Sequence, residues 1–254
     1  MTPCLKTAIA AALSAQEVIQ RYYRQEVAVE IKPDQTPVTV ADLESEQAIK
    51  SIITAAFPDH GIYGEETGQE RMDSDCLWLI DPIDGTKSFV RRYPFFSTQI
   101  ALRRDGELVI GVSNAPEFEE MAYAETGGGA FLAGEAIRVS DICTLEAATL
   151  SIGNVKTLAS GPGWQGLAQI VQRVNRTRGY GDFYHYHLLA SGRIDLVVES
   201  DVNILDIAAL AVIVREAGGI FTDLQGNPLT LDTTSVLAAA TPELHAQALS
   251  LLNP

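Results

Sequence analysis

The stretch Leu79-Ile80-Asp81-Pro82-Ile83-Asp84-Gly85-Thr86 decides how this 254-residue chain is read. It follows Leu77-Trp78-Leu79-Ile80, a continuous apolar run of the kind that forms a buried strand. Pro82 cannot donate to a sheet ladder and is expected to end that strand. The turn after it can bring Asp81 and Asp84 toward one point, expose the Ile83 carbonyl and open a helix. Hard cations such as Mg2+ take oxygen ligands of this sort. Gly85 allows close backbone approach, and the amides of Gly85 and Thr86 at a helix start suit a phosphate. Asp-Pro and Asp-Gly pairs also form ordinary turns, and Asp84 alone fits a helix cap.

Three features outside this stretch weigh toward the cation. Gly64-Glu65-Glu66 sets two adjacent carboxylates after the short apolar strand Ile62-Tyr63-Gly64. Asp206 opens a strongly apolar helix, where it reads either as an N-cap or as a ligand. Val38-Thr39-Val40-Ala41-Asp42 repeats the strand-then-aspartate arrangement.

Helical and strand patterns alternate along the chain, which points to an α/β or α+β class. The first helix is expected over 4–25, with Leu5, Ile9, Ala12 and Leu13 on its inner face. The polar stretch Lys32-Pro33-Asp34-Gln35-Thr36-Pro37 breaks the pattern. A second helix carries Ile49, Ile52, Ile53 and Ala56 inward and stops before Pro58. A strand pair over 96–102 and 107–113 turns at Arg104-Asp105-Gly106. Strands follow at 121–124 and 130–132, and a boundary between subdomains is expected near 133–140, dividing the chain into 1–135 and 136–254. Beyond it come a strand at 149–152, helices at 164–175 and 182–191, and a strand at 194–199. The last elements are a helix at 207–216, closed by Gly218-Gly219, and a strand at 220–222.

Composition narrows the function classes. A net charge of −15 argues against nucleic acid as a partner, since binding it requires a basic surface. Most of the 33 acidic residues are expected simply to be solvated. Cys4, Cys76 and Cys143 are too few and too widely spaced for a disulfide framework or a zinc site, and read as small buried hydrophobes. No stretch approaches a membrane span. A reducing, cytoplasmic setting is expected.

Taken together, the acidic motifs resemble those of the inositol monophosphatase superfamily of lithium-sensitive, magnesium-dependent phosphatases. Gly64-Glu65-Glu66 is similar to the family's first acidic motif, and Trp78 through Phe89 to its signature. Asp206-Ile207-Ala208-Ala209, followed by Glu216-Ala217-Gly218-Gly219, is similar to its C-terminal motif. The family usually carries tryptophan where this chain has Leu205.

The resemblance implies an α+β fold, a layered αβαβα sandwich of the inositol monophosphatase / fructose-1,6-bisphosphatase type, in a homodimer. It implies two or three Mg2+ ions per site. Glu65, Asp81 and the Ile83 carbonyl would hold the first, and Asp81, Asp84 and Asp206 the second. Asp42 and Glu66 would assist a third. Glu65 and Thr86 would position a metal-activated water for in-line attack on phosphorus, with Gly85 and Thr86 on the phosphate.

Within the superfamily, the histidinol-phosphatase branch is the nearer resemblance. It rests on residues 36–42, on Phe57-Pro58-Asp59-His60-Gly61 and on Arg178-Gly179-Tyr180-Gly181-Asp182-Phe183-Tyr184. Members acting on inositol phosphates tend to carry small neutral residues where Asp182 stands. A carboxylate there suits the amine and imidazole of histidinol phosphate, a substrate of histidine biosynthesis, although Asp182 also reads as a helix cap. Glu199 stands where inositol phosphatases bind a substrate hydroxyl, and Arg178 either pairs with Asp182, faces the substrate or lies on the surface. The alternatives are a phosphatase of inositol, sugar or nucleotide phosphates and a catalytically silent metal-binding homologue. His185 and His187, two apart on a helix, cannot share a ligand and are expected to be structural or pocket-lining.

Overall fold

A computed structural model describes residues 1–24, 29–31 and 37–253. The polar break at 32–36 lies outside the described residues. Helix α1 (Pro3–Tyr23) starts on a Thr2 cap, and α2 (Val40–Ala56) starts on Thr39. Between them, β1 (Val29–Ile31) and β2 (Pro37–Thr39) form a short antiparallel pair. The inner face of α1 is lined by Leu5, Ala8, Ala11, Ala12, Ala15 and Ile19, whereas Leu13 is 48% exposed and Ile9 only partly covered. Alanines form the middle of the buried stripe, between Leu5 and Ile19, and their small side chains let α1 lie close over its neighbours. In α2, Ile49 and Ile53 point inward, Ile52 is half-buried and Ala56 is exposed. The helix stops at Ala56, before Pro58.

An eight-stranded sheet follows. It contains β3 (Gly61–Gly64), β4 (Gly68–Glu70), β5 (Cys76–Asp84), β6 (Ser97–Arg104) and β7 (Glu107–Ala115). Strands β8 (Glu120–Glu125), β9 (Ala130–Leu132) and β10 (Glu135–Ile137) complete it. The order is β10-β9-β8-β7-β6-β5-β3-β4, with only β3 and β5 parallel. The β6–β7 hairpin turns through Asp105 and Gly106, both at positive φ (50° and 88°), as a two-residue hairpin turn requires. A five-residue helix, α3 (Thr86–Val90), follows β5.

The second half builds a five-stranded sheet from β11 (Thr149–Ile152), β12 (Arg176–Arg178), β13 (Leu196–Ser200), β14 (Ile220–Thr222) and β15 (Ser235–Ala239), in the order β12-β11-β13-β15-β14. Helices α4 (Val155–Ser160), α5 (Trp164–Arg173) and α8 (Pro242–Leu252) cover its outer face. Helices α6 (Asp182–Ala190) and α7 (Ile204–Glu216) fill the space between the sheets. The layers therefore run α1/α2, first sheet, α6/α7, second sheet, α4/α5/α8, which is the expected αβαβα sandwich. Ten of the thirteen residues of α7 are buried, as its all-round apolar sequence demands of a helix covered on both sides. Leu205 is 4% exposed in this central core, so leucine packs where the family places tryptophan. Of the three free thiols only Cys4 is buried; Cys143 is exposed. Among the described residues no helix is long and apolar enough to cross a membrane.

Candidate metal centre and substrate pocket

Strand β5 does not stop at Pro82. It continues to Asp84 through a bulge, in which Asp81 pairs with Gln99 and Asp84 with Ser97. Residues three apart on a regular strand point to opposite faces. The extra residue of the bulge corrects that parity, and the missing N–H of Pro82 is tolerated there. Asp81 helps to shape the irregularity by accepting the Ile83 N–H at 2.9 Å.

The third carboxylate comes from α7. Asn203, not Asp206, is the N-cap. Asp206 sits one turn in and reaches back to the Asn203 N–H and side-chain amide, each at 2.8 Å. This capping box fixes the side chain that faces β5. One carboxylate oxygen each from Asp81, Asp84 and Asp206 lies within 4.8 Å of the others. At an effective dielectric of 20, each such pair repels by at least about 3.5 kcal/mol when both carboxylates are ionised. These are hard oxygen donors, Asp81 buried and Asp84 and Asp206 half-buried, a set that suits a divalent cation of the magnesium type.

The three border a cavity of about 300 Å³ whose lining also includes Glu65, Ile83, Gly85 and Thr86. Glu65 follows β3, and its N–H bonds the Ile80 carbonyl, so it enters beside Asp81. The loop behind it is held by Glu46 of α2, which is fully buried. Glu46 accepts the N–H of Glu66 (2.7 Å) and of Thr67 (3.0 Å), and the Thr67 hydroxyl. Sequence reading missed Glu46; its only signal was a carboxylate on the inner side of a helix. Glu66 lies outside the cavity lining.

Asp42 stands inside the first turn of α2, where it accepts the Thr39 N–H (2.7 Å) and hydroxyl (2.6 Å), rather than after a strand. Its other oxygen lies 3.4 Å from the Thr86 hydroxyl, whose one proton is shared between it and the Ile83 carbonyl at 3.1 Å. Asp42 is thus joined to the site through Thr86 and does not line the cavity. Gly85 caps α3 at φ 88°, and a Cβ there would meet the Phe95 carbonyl at 2.5 Å.

The opposite wall belongs to the second half of the chain. Asp182 and Glu199 line it, with Tyr186 between sheet and helix. Gly181, not Asp182, is the cap of α6; Asp182 takes a left-handed backbone (φ 46°) as the first helical residue. Lys87 is the one cation among the described lining residues. Arg178 is not brought to the pocket: it is exposed on edge strand β12 and donates to the Thr177 carbonyl next to it. His185 and His187 diverge, as their spacing requires. His185 meets Glu199 at 3.0 Å, whereas His187 reaches Ser113 of the first sheet at 2.8 Å.

Burial pushes the carboxyls of Asp81 and Asp84 well above the usual range, and the surrounding carboxylates push them further. Asp206 is raised to about 7, chiefly by burial, and Asp182 to about 6 by burial and then Glu199. Each group binds its proton more tightly folded than unfolded. Without a divalent ion, stability therefore falls as pH rises from about 4 to about 7. Carboxyls shifted down, such as Glu120 by its bond from His187, act in the opposite sense, at lower pH. In chelator the protein should melt higher at about pH 5.5 than at about pH 7.5, by about 5 °C. Saturating Mg2+ should shrink or reverse that difference, because the ion displaces the protons. Thermal denaturation in the four conditions checks this, and a melting point in chelator that ignores pH would count against a shared desolvated cluster.

The comparisons with known proteins agree with this geometry. A family model described as the inositol monophosphatase family matches residues 1–253. The histidinol-phosphatase of Chlorobaculum parvum is 37% identical over 240 residues, covering 94% of this chain and 93% of that protein. The Nus factor SuhB of Pasteurella multocida is 36% identical over 265 residues, covering 100% and 97%. Among solved structures, the IMPase of Thermotoga maritima superposes with a TM-score of 0.88 at 32% identity, covering 99% of this chain and 97% of that one.

Proposed function

The chain belongs to the inositol monophosphatase family, and from that premise we propose that it is a magnesium-dependent phosphatase whose substrate is histidinol phosphate. The observation that carries the substrate is Asp182. It is a pocket carboxylate that does not cap its helix, placed beside Glu199 on the wall facing the metal cluster. Two carboxylates on that wall complement an amine and an imidazole, where inositol offers only hydroxyls. The 37% identity to a histidinol-phosphatase supports the same reading.

In this reading Glu65, Asp81, the Ile83 carbonyl, Asp84 and Asp206 hold two Mg2+ ions, with Asp42 and Glu66 near a third. The ions supply charge neutralisation at the phosphoryl group and acidify water. The protein's own groups do the rest. Thr86, pinned by the Ile83 carbonyl and Asp42, orients the attacking water together with Glu65. The Gly85 and Thr86 amides hold the phosphate, and the second half of the chain grips the leaving alcohol.

A phosphate-release screen over histidinol phosphate, inositol phosphates and 3′-phosphoadenosine 5′-phosphate tests the proposal. Activity should vanish in chelator, return with Mg2+, and be highest in kcat/KM on histidinol phosphate. Full turnover in chelator would sink the metal assignment. A preference for inositol phosphates would sink the substrate assignment alone. Failure to hydrolyse any ester with Mg2+ would leave a binding role, in line with the SuhB relative that carries the name of a Nus factor.

A further inference from the structure

His185 lies behind the pocket wall and Tyr186 within it, joined in a chain of buried hydrogen bonds. Ser151, His185, Tyr186 and Glu199 are each at most 3% exposed. Ser151 Oγ accepts the Tyr180 N–H at 3.2 Å, which leaves its own proton free for His185 Nδ1 at 3.3 Å. With Nδ1 accepting, the ring proton sits on Nε2 and points at Glu199 Oε2, 3.0 Å away. Tyr186 donates its hydroxyl to the same oxygen at 2.7 Å. Both donors therefore fall on one oxygen of Glu199. The other oxygen, Oε1, occupies space left open by Gly153, where a Cβ would come within 1.9 Å of it.

Four polar side chains buried between α6 and the second sheet are costly unless fully bonded. An apolar filling would serve the fold as well. What the arrangement adds is a fixed carboxylate: glutamate has three rotatable bonds, and freezing them before the ligand arrives spares that cost on binding. We propose that His185 and Tyr186 are positioning residues that hold Glu199 by one oxygen and present the other to the cationic leaving group, making Asp182 and Glu199 a two-point carboxylate clamp. This rests on the reading of the substrate as an ester of a basic alcohol. It also gives α6 a double task, since the helix carries Asp182 at its start and the Glu199 anchors about one turn later.

The test is kcat and KM for histidinol phosphate and inositol 1-phosphate in wild type, His185→Leu and His185→Gln. For a residue acting through another, His185→Leu should raise KM for histidinol phosphate about tenfold, and the discrimination between the two esters should fall by a similar factor. His185→Gln keeps an amide donor near the Nε2 position and should recover to within about threefold of wild type. Equal losses on both esters, or a folded His185→Gln no better than His185→Leu, would overturn the positioning role. Should His185→Leu not fold, Tyr186→Phe removes only the 2.7 Å bond and should shift discrimination the same way; an unchanged ratio overturns the proposal. A wild type without preference for histidinol phosphate overturns the substrate reading and this proposal with it. A wild-type preference that survives both variants overturns the positioning alone.

Discussion

A folded Asp84→Asn protein should lose more than about 100-fold in turnover, since even residues behind a metal ligand cost 10–100-fold when changed. Asparagine keeps the size of the side chain and can still meet Ser97, which lies 3.4 Å from Asp84 Oδ2. It cannot supply the negative charge that a divalent ion needs from this position. The same substitution should raise the melting point of the chelated protein. Asp84 is disfavoured as an anion by burial first, then by Asp182, Asp206, Glu199 and Glu65, and a neutral amide removes that conflict. Loss of activity with a gain in metal-free stability is the signature of a group kept for function against the interest of the fold. Mg2+ affinity by calorimetry, kcat, and melting in chelator measure the three parts. Near-wild-type turnover in the folded variant would remove Asp84 from the site.

That conflict is also why the site was legible in the sequence. Asp81, Asp84, Glu65 and Asp206 each stand where an apolar element ends or begins, and carboxylates are expensive there unless something requires them. The layers were legible for a related reason: apolar runs and 3.6-residue periods report which faces must be covered. What could not be read was how the carboxylates were aimed. Pro82 suggested a strand end, but the ladder tolerates it inside a bulge, and that bulge sets Asp81 and Asp84 on one side. Asp42 was placed after a strand and Asp206 at a helix start, and both proved to lie within first turns, because the caps are Thr39 and Asn203.

Other misses share a cause, namely contacts distant in sequence. Glu46 carries no local mark of its role beyond a carboxylate on the inner side of a helix; only the fold brings it to the amides of Glu66 and Thr67, 20 and 21 residues away. Arg178 looked promising from its neighbours in sequence, but an edge strand turns it to solvent. The β15 strand and α8 went unread although the apolar run Val236 through Ala240 is bounded by Thr233-Thr234-Ser235 and by Thr241-Pro242, the second of which marks a helix start. The two histidines read as equivalent until α6 was seen to lie between sheets, one imidazole turned to each.

Asp182→Asn should separate substrates rather than disable the enzyme. Losing a charge-assisted contact of about 1.5–3 kcal/mol predicts a fall of about 10- to 100-fold in kcat/KM for histidinol phosphate. With the phosphate held at the other wall, as proposed, the ratio of histidinol phosphate to inositol 1-phosphate hydrolysis should fall by nearly that whole factor. The variant is suited to the question because asparagine tolerates the left-handed backbone of Asp182 (φ 46°) as well as aspartate does. Gly181 caps the helix without any side-chain bond, so no cap is lost. The wild-type carboxyl titrates at about 6, raised by burial and Glu199. Below that pH it is neutral and cannot hold a cation, so KM for histidinol phosphate should rise as pH falls through about 6, while the asparagine variant loses this component. A parallel fall for both esters would mean that the substitution disturbs the whole site. No change in either would mean that Asp182 does not meet the leaving group, and the substrate reading would lose its main support.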